Sequence, residues 1–111
     1  MEVYFQIIRD ADALKKACDE MKREEFLGFD TETTELDPYK GELRLVQLSN
    51  GKNTYVTDVR SFSENGGSRT DTDLAPLRDL LSSNRPIKIA HNAKFDSKWV
   101  RHHLGCEIGG R

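Results

Sequence analysis

Phe26-Leu27-Gly28-Phe29-Asp30-Thr31-Glu32-Thr33-Thr34 decides the reading of this chain: an apolar run closes on two carboxylates spaced two residues apart. In an extended strand successive side chains point to opposite faces, so Asp30 and Glu32 share a face and can converge on one cation. Carboxylate oxygens suit Mg²⁺ or Mn²⁺ rather than zinc. The same letters also fit a strand that ends in a polar turn, so the acids need support from elsewhere in the chain.

Support comes from Ile87-Lys88-Ile89-Ala90-His91-Asn92-Ala93-Lys94-Phe95-Asp96, a short apolar strand running into a helical segment. Phe95, Trp99, Val100 and Leu104 fall on one helical face, Asn92 suits the N-cap, and Asp96 then lies in the first turn. An acid there is favoured by the helix dipole, which by itself explains Asp96 as a stabilising charge.

Taken together, Phe29-Asp30-Thr31-Glu32-Thr33-Thr34 and His91-Asn92-Ala93-Lys94-Phe95-Asp96 resemble the first two signature motifs of the 3′-5′ exonucleases named for four acids, Asp-Glu-Asp-Asp. Leu36-Asp37-Pro38-Tyr39 followed by Gly41-Glu42-Leu43-Arg44-Leu45-Val46-Gln47-Leu48 is similar to the run after the first motif in ribonuclease D and in the proofreading domains of family-A DNA polymerases. The resemblance covers about residues 2 to 110 and includes Leu104-Gly105-Cys106-Glu107-Ile108-Gly109-Gly110. In the family the third motif, a Tyr or His followed four residues later by the fourth acid, is carried by a further strand and helices beyond the stretch that the resemblance covers; Asp71 and Asp73 lie between the first two motifs, out of the family order. The resemblance implies that residues 1–111 are the N-terminal portion of a 3′-5′ exonuclease domain. Its expected fold is α/β, a ribonuclease H-like mixed sheet with flanking helices, truncated before the last strand and helices.

In that family two Mg²⁺ or Mn²⁺ ions assist hydrolysis of the terminal phosphodiester. The resemblance implies that Asp30 bridges the two metals, that Glu32 binds the ion on the nucleophile side, and that Asp96 serves the other ion through water. Thr33, Leu36, Asn92 and Phe95 match positions near the terminal nucleotide. Three of these have a structural reading beside the functional one: Thr33, with Thr31, as a strand-end β-former, Asn92 as a helix cap and Phe95 as core. His91 borders the expected site, whereas His102 and His103 read as a solvated helix surface. Trp99 reads as core in preference to a base-stacking platform. Lys94, Lys98 and Arg101 suit phosphate contact or plain solvation. The implied partner is a nucleic acid with a free 3′ end. Alternatives are an inactive exonuclease-derived nucleic-acid-binding or scaffold protein, and a subunit completed by a partner chain.

Composition sets the frame. In 111 residues, 17 Lys and Arg stand against 19 Asp and Glu, for a net charge of −2 that excludes a globally basic nucleic-acid binder. A hydrophobic fraction of 36% and a mean hydropathy of −0.69 forecast a modest core. Cys18 and Cys106 lack metal-ligand spacing, which argues against zinc and for reduced thiols. No stretch approaches the roughly 20 apolar residues of a membrane span, so the expectation is a soluble, cytoplasmic protein with no membrane partner.

Val3 to Ile8 reads as a strand and Asp10 or Asp12 as the cap of a helix to about Arg23, with Leu14, Ala17, Cys18 and Met21 facing a core. Phe26 to Asp30, Leu43 to Leu48 and, after an Asn50-Gly51 hairpin, Thr54 to Thr57 read as an antiparallel meander. Ser61 to Asp73 reads as a surface loop. Asp71 or Asp73 then caps a helix over Leu74 to Leu81, and Pro86 precedes the Ile87 to Ala90 strand. A sheet lacking its last strand should leave an exposed edge and apolar surface, which predicts a homo-oligomer or a completing partner at that edge.

Overall fold

The computed structural model describes residues 4–35, 37, 39–62 and 72–110. Five strands are interleaved with three helices: β1 (Tyr4–Ile8), α1 (Ala11–Met21), β2 (Phe26–Thr33), β3 (Leu43–Ser49), β4 (Asn53–Asp58), α2 (Ala75–Ser82), β5 (Ile87–Ala90) and α3 (Ala93–Leu104). The sheet order is β1-β4-β3-β2-β5. β2, β3 and β4 form the expected antiparallel meander, while β1 joins β4 and β5 joins β2 in parallel. This is the mixed α/β sheet anticipated from the sequence. Val3, Leu36 and most of the Ser61 to Asp73 loop lie outside the described residues. Among the described residues no helix is long and apolar enough to cross a membrane.

One face of the sheet carries the core. Ile8, Leu27, Phe29, Val46, Leu48 and Tyr55 point to it, and Leu14, Ala17, Cys18 and Met21 of α1, Leu77, Leu80 and Leu81 of α2, and Trp99, Val100 and Leu104 of α3 pack against them as one cluster. The opposite face is open among the described residues. Strand register brings Phe5 and Ile7 of β1 to it at one side and Phe26 and Ile89 at the other, each between 50% and 70% exposed. Apolar residues on both faces of a strand are the mark of a sheet covered on both sides.

Local chemistry explains the helix starts. Asp10 caps α1 by accepting from the Ala13 amide at 2.8 Å, and Asn92 caps α3 by accepting from the Phe95 amide at 3.4 Å. α2 departs from expectation: its N-cap is Leu74, which offers no side-chain bond, and Asp73 lies in a preceding 3-10 turn, Thr72–Leu74, with Pro76 in the first turn of the helix. A proline there lacks the N–H that a cap would otherwise satisfy. α3 ends at Gly105, whose φ of 72° permits the left-handed cap conformation that closes the helix.

Beyond α3 the chain returns along α2 and β5. The Gly109 amide donates to the Leu81 carbonyl at 2.8 Å, and the Lys88 amide donates to the Gly110 carbonyl at 2.7 Å. A Cβ at Gly109 would fall 2.2 Å from the Ser82 carbonyl oxygen, so only glycine allows this approach. The seam buries Lys88, which is 2% exposed and donates from Nζ to the Ser83 carbonyl at 2.5 Å. Burial lowers its pKa below the ordinary lysine value.

Cys18 is buried on the inner face of α1, and burial foremost, with the Asp19 charge second, pushes its thiol up to about 12 from 9.0. At pH 8 that shift of about three units cuts the thiolate fraction roughly a thousandfold. Iodoacetamide at pH 8 is therefore expected to label Cys18 at least about 100-fold faster in urea than in the folded chain, as read by mass spectrometry. The sign for stability follows: an acid whose folded pKa is raised favours the unfolded state as pH climbs from 9.0 toward about 12. Rapid labelling of native Cys18 would contradict the packing of α1.

Candidate active site

The site lies where the carboxyl ends of parallel strands β2 and β5 meet the first turn of α3. Asp30 and Glu32 are exposed on the open face of β2, and Thr31 between them faces the helices. Thr31 makes the junction. Its Oγ1 donates to Oδ1 of Asp96 at 2.5 Å, joining the first acidic stretch to the second across 65 residues of sequence. The Asp30 side chain accepts from the Thr31 amide at 2.9 Å, which fixes the carboxylate against its own backbone. The β2–β3 register slips between Glu32 and Thr33, a kind of irregularity that re-aims side chains at the end of a ladder.

Asp96 is only 2% exposed. Burial raises its pKa above the ordinary aspartate value, Thr31 hydrogen bonds pull it down, and the nearby Asp30 charge raises it again. Asp30 and Asp96 are thus close enough to repel. Two such carboxylates, donating only oxygen, fit a hard divalent cation, whose charge would offset both burial and repulsion. Among the described residues no three His, Cys, Asp or Glu side chains converge closely enough to hold an ion. Glu32 therefore shares a face with Asp30 without completing a three-carboxylate cluster.

The remaining expected residues divide. Thr33 is half-buried and donates from Oγ1 to the Glu35 carbonyl at 2.8 Å, and Leu36 lies outside the described residues. Asn92 is exposed and serves as the α3 cap; Phe95 is half-buried beside Trp99, their ring centroids 6.1 Å apart. His91 is exposed next to the cap. Trp99 is wholly buried, as its helical spacing foretold. His102 and His103 are not a solvated surface: both are half-buried, His103 stacked on Trp99 at 5.1 Å and His102 packed against Tyr39 at 4.6 Å. Thr31 escapes sequence reasoning as a site residue. Thr31 does carry a signal, since the residue between two same-face acids must point toward the layer that brings the third.

The profile of the 3′-5′ exonuclease family matches residues 5–110. The chain belongs to the 3′-5′ exonuclease family. It is similar to DNA polymerase I of Aquifex aeolicus, with 34% identity over 96 residues, 86% of this chain and 14% of the polymerase. Ribonuclease D of Zymomonas mobilis is 30% identical over 100 residues, 89% of this chain and 24% of that enzyme. The fold matches the structure of Trypanosoma brucei RNase D in complex with RNA U12 at a TM-score of 0.80 and 18% identity, covering 97% of this chain and 36% of that one. The chain thus spans about a quarter or less of the length of these two curated relatives.

A direct test of the junction is Thr31→Val, which keeps shape and removes the hydroxyl. It leaves a buried carboxyl without that donor, a change worth about 1–3 kcal/mol. The variant is expected to melt below wild type while Thr31→Ser stays close to it, measured by circular dichroism. Equal melting of Val and wild type would show that the Thr31–Asp96 bond carries no weight.

Proposed function

We propose that this chain carries the acids of a 3′-5′ exonuclease site that hydrolyses the terminal phosphodiester of DNA or RNA with bound Mg²⁺ or Mn²⁺. The observation that supports it most is the Thr31 bridge, which sets Asp96 of the second motif beside Asp30 of the first. Asp30, Glu32 and Asp96 would hold the metal. When bound, divalent ions offset charge on the phosphate and make water a competent nucleophile at neutral pH. The chain's own residues position: Thr31 orients the Asp96 carboxyl, Asn92 starts the helix that carries it, and Phe95 packs beside Trp99 on that helix. Thr33, Asn92 and Phe95 flank the place of the terminal nucleotide.

The test is degradation of 5′-labelled single-stranded DNA and RNA in Mn²⁺, with Asp30→Ala prepared in parallel. Activity lost in the variant supports the reading, and the product ladder gives polarity and preferred sugar. Equal activity in both proteins assigns the cleavage to a contaminant and removes its support.

A second reading, a site completed by another polypeptide, is favoured by the exposed Phe5, Ile7, Phe26 and Ile89 on the face that also bears Asp30 and Glu32. Light scattering of the purified chain distinguishes self-association from a monomer awaiting a partner.

A further inference from the structure

Four rings of α3 and Tyr39 of the β2–β3 loop form a continuous ladder: Phe95 against Trp99 at 6.1 Å, Trp99 on His103 at 5.1 Å with 13° between planes, His103 against His102 at 4.8 Å, and His102 against Tyr39 at 4.6 Å. The ladder begins at the residue before Asp96 and ends on Tyr39, at 83% the most exposed large apolar side chain among the described residues. Burial explains the inner rings. It does not explain Tyr39, which leaves nearly its whole face to solvent although its backbone is held in place. The Tyr39 amide donates to the Asp37 side chain at 2.9 Å, and the Lys40 and Gly41 amides donate to the Asp37 carbonyl. The segment is tied to the end of β2 by the Thr34 hydroxyl, which accepts from the Glu42 amide at 2.8 Å.

From these contacts we propose that Tyr39, backed by His102, is a stacking platform for an internal base of a single-stranded nucleic acid whose 3′ end lies at Asp30 and Asp96. The inference rests on the exonuclease reading and adds a subsite to it. An exposed aromatic ring braced by other rings presents a π-face at small entropic cost, and every base can use it. Lys94 and Lys98, both exposed, lie on the i, i+4 row that leads to His102, where they can meet the phosphates of the same strand. His102 follows Asp96 by under two helical turns, which is about 9 Å along the axis at the α-helical rise. At about 3.4 Å per stacked nucleotide, that distance puts the platform at the third or fourth base from the 3′ end.

The experiment measures fluorescence anisotropy of a 5′-labelled dinucleotide and octanucleotide in Ca²⁺, for wild type, Tyr39→Ala and Tyr39→Phe. A parallel series places 2-aminopurine at each position of the octamer. Tyr39→Ala is expected to weaken octamer binding at least about fivefold and to leave the dinucleotide unchanged, with Tyr39→Phe close to wild type. Quenching of 2-aminopurine at the third or fourth position is lost in Tyr39→Ala. Octamer binding that ignores Tyr39→Ala, or a loss equal for both lengths, overturns the platform and leaves the exonuclease reading intact. A wild-type chain that binds neither oligomer overturns both. Because Tyr39 is exposed, equal melting temperatures certify that the variants are folded.

Discussion

Trp99→Ala is expected to lower the stability of the fold by about 3–5 kcal/mol, enough to move its melting point down by roughly 15–30 °C. Trp99 is fully buried and leads the buried side chains by volume. It lies between Phe95 and His103, so truncation opens a cavity that α3 can fill only by sliding along the sheet. Domains of this size are stable by roughly 5–15 kcal/mol in total, so the loss is a large share. Trp99→Phe should cost far less. The indole Nε1 has no hydrogen-bond partner among the described residues, so phenylalanine removes an unsatisfied donor along with part of the volume. Circular dichroism melts of the three proteins settle the order; an Ala variant within a few degrees of wild type would mean that α3 is held by something other than this ring.

Periodicity makes Trp99 legible. Phe95, Trp99, Val100 and Leu104 recur at helical spacing, and Asn92 stands where a cap belongs, so α3 and its buried face follow from local chemistry alone. Other features depend on pairings that local sequence does not encode. Ile87-Lys88-Ile89 reads as a short apolar strand, and only parallel register with β2 shows which residue faces where: Lys88 lies beside Leu27 and Ile89 turns outward. Lysine tolerates this because its Nζ reaches the Ser83 carbonyl at the rim of the core. That register also gives the open face its apolar character, with Phe26 and Ile89 on the side of Asp30. His102 and His103 depart from a solvated surface for a related reason. The ring partner of His102, Tyr39, comes from a loop between β2 and β3, and helix periodicity carries no information about what a loop lays over it, while His103 stacks on Trp99 one turn earlier in α3.

Asp30→Asn should abolish metal-dependent hydrolysis, by at least about 100-fold against wild type, if the exonuclease reading holds. The substitution is nearly isosteric and keeps an oxygen to accept from the Thr31 amide, so what changes is charge. That charge acts in two opposing ways. It raises the pKa of buried Asp96, a group whose elevated value already reflects the cost of burying its ionised form. For an acid with a raised folded pKa, stability declines as pH rises through the unfolded value toward the folded one, so at neutral pH the pair is a burden on the fold. Removing the Asp30 charge relieves the repulsive part, and the metal-free variant should melt no lower than wild type, with a small rise at low ionic strength. Mn²⁺ should reverse the order: it raises the melting point of wild type by binding the folded state and leaves Asp30→Asn where it was. Under the exonuclease reading, the cost of the carboxylate pair is offset by the ion it would bind, the usual trade of stability against function. Asp30→Asn that melts several degrees lower without metal would assign Asp30 a structural role instead. A wild type whose melting point ignores Mn²⁺ would show that Asp30 and Asp96, as they stand in this chain, do not suffice to hold the ion.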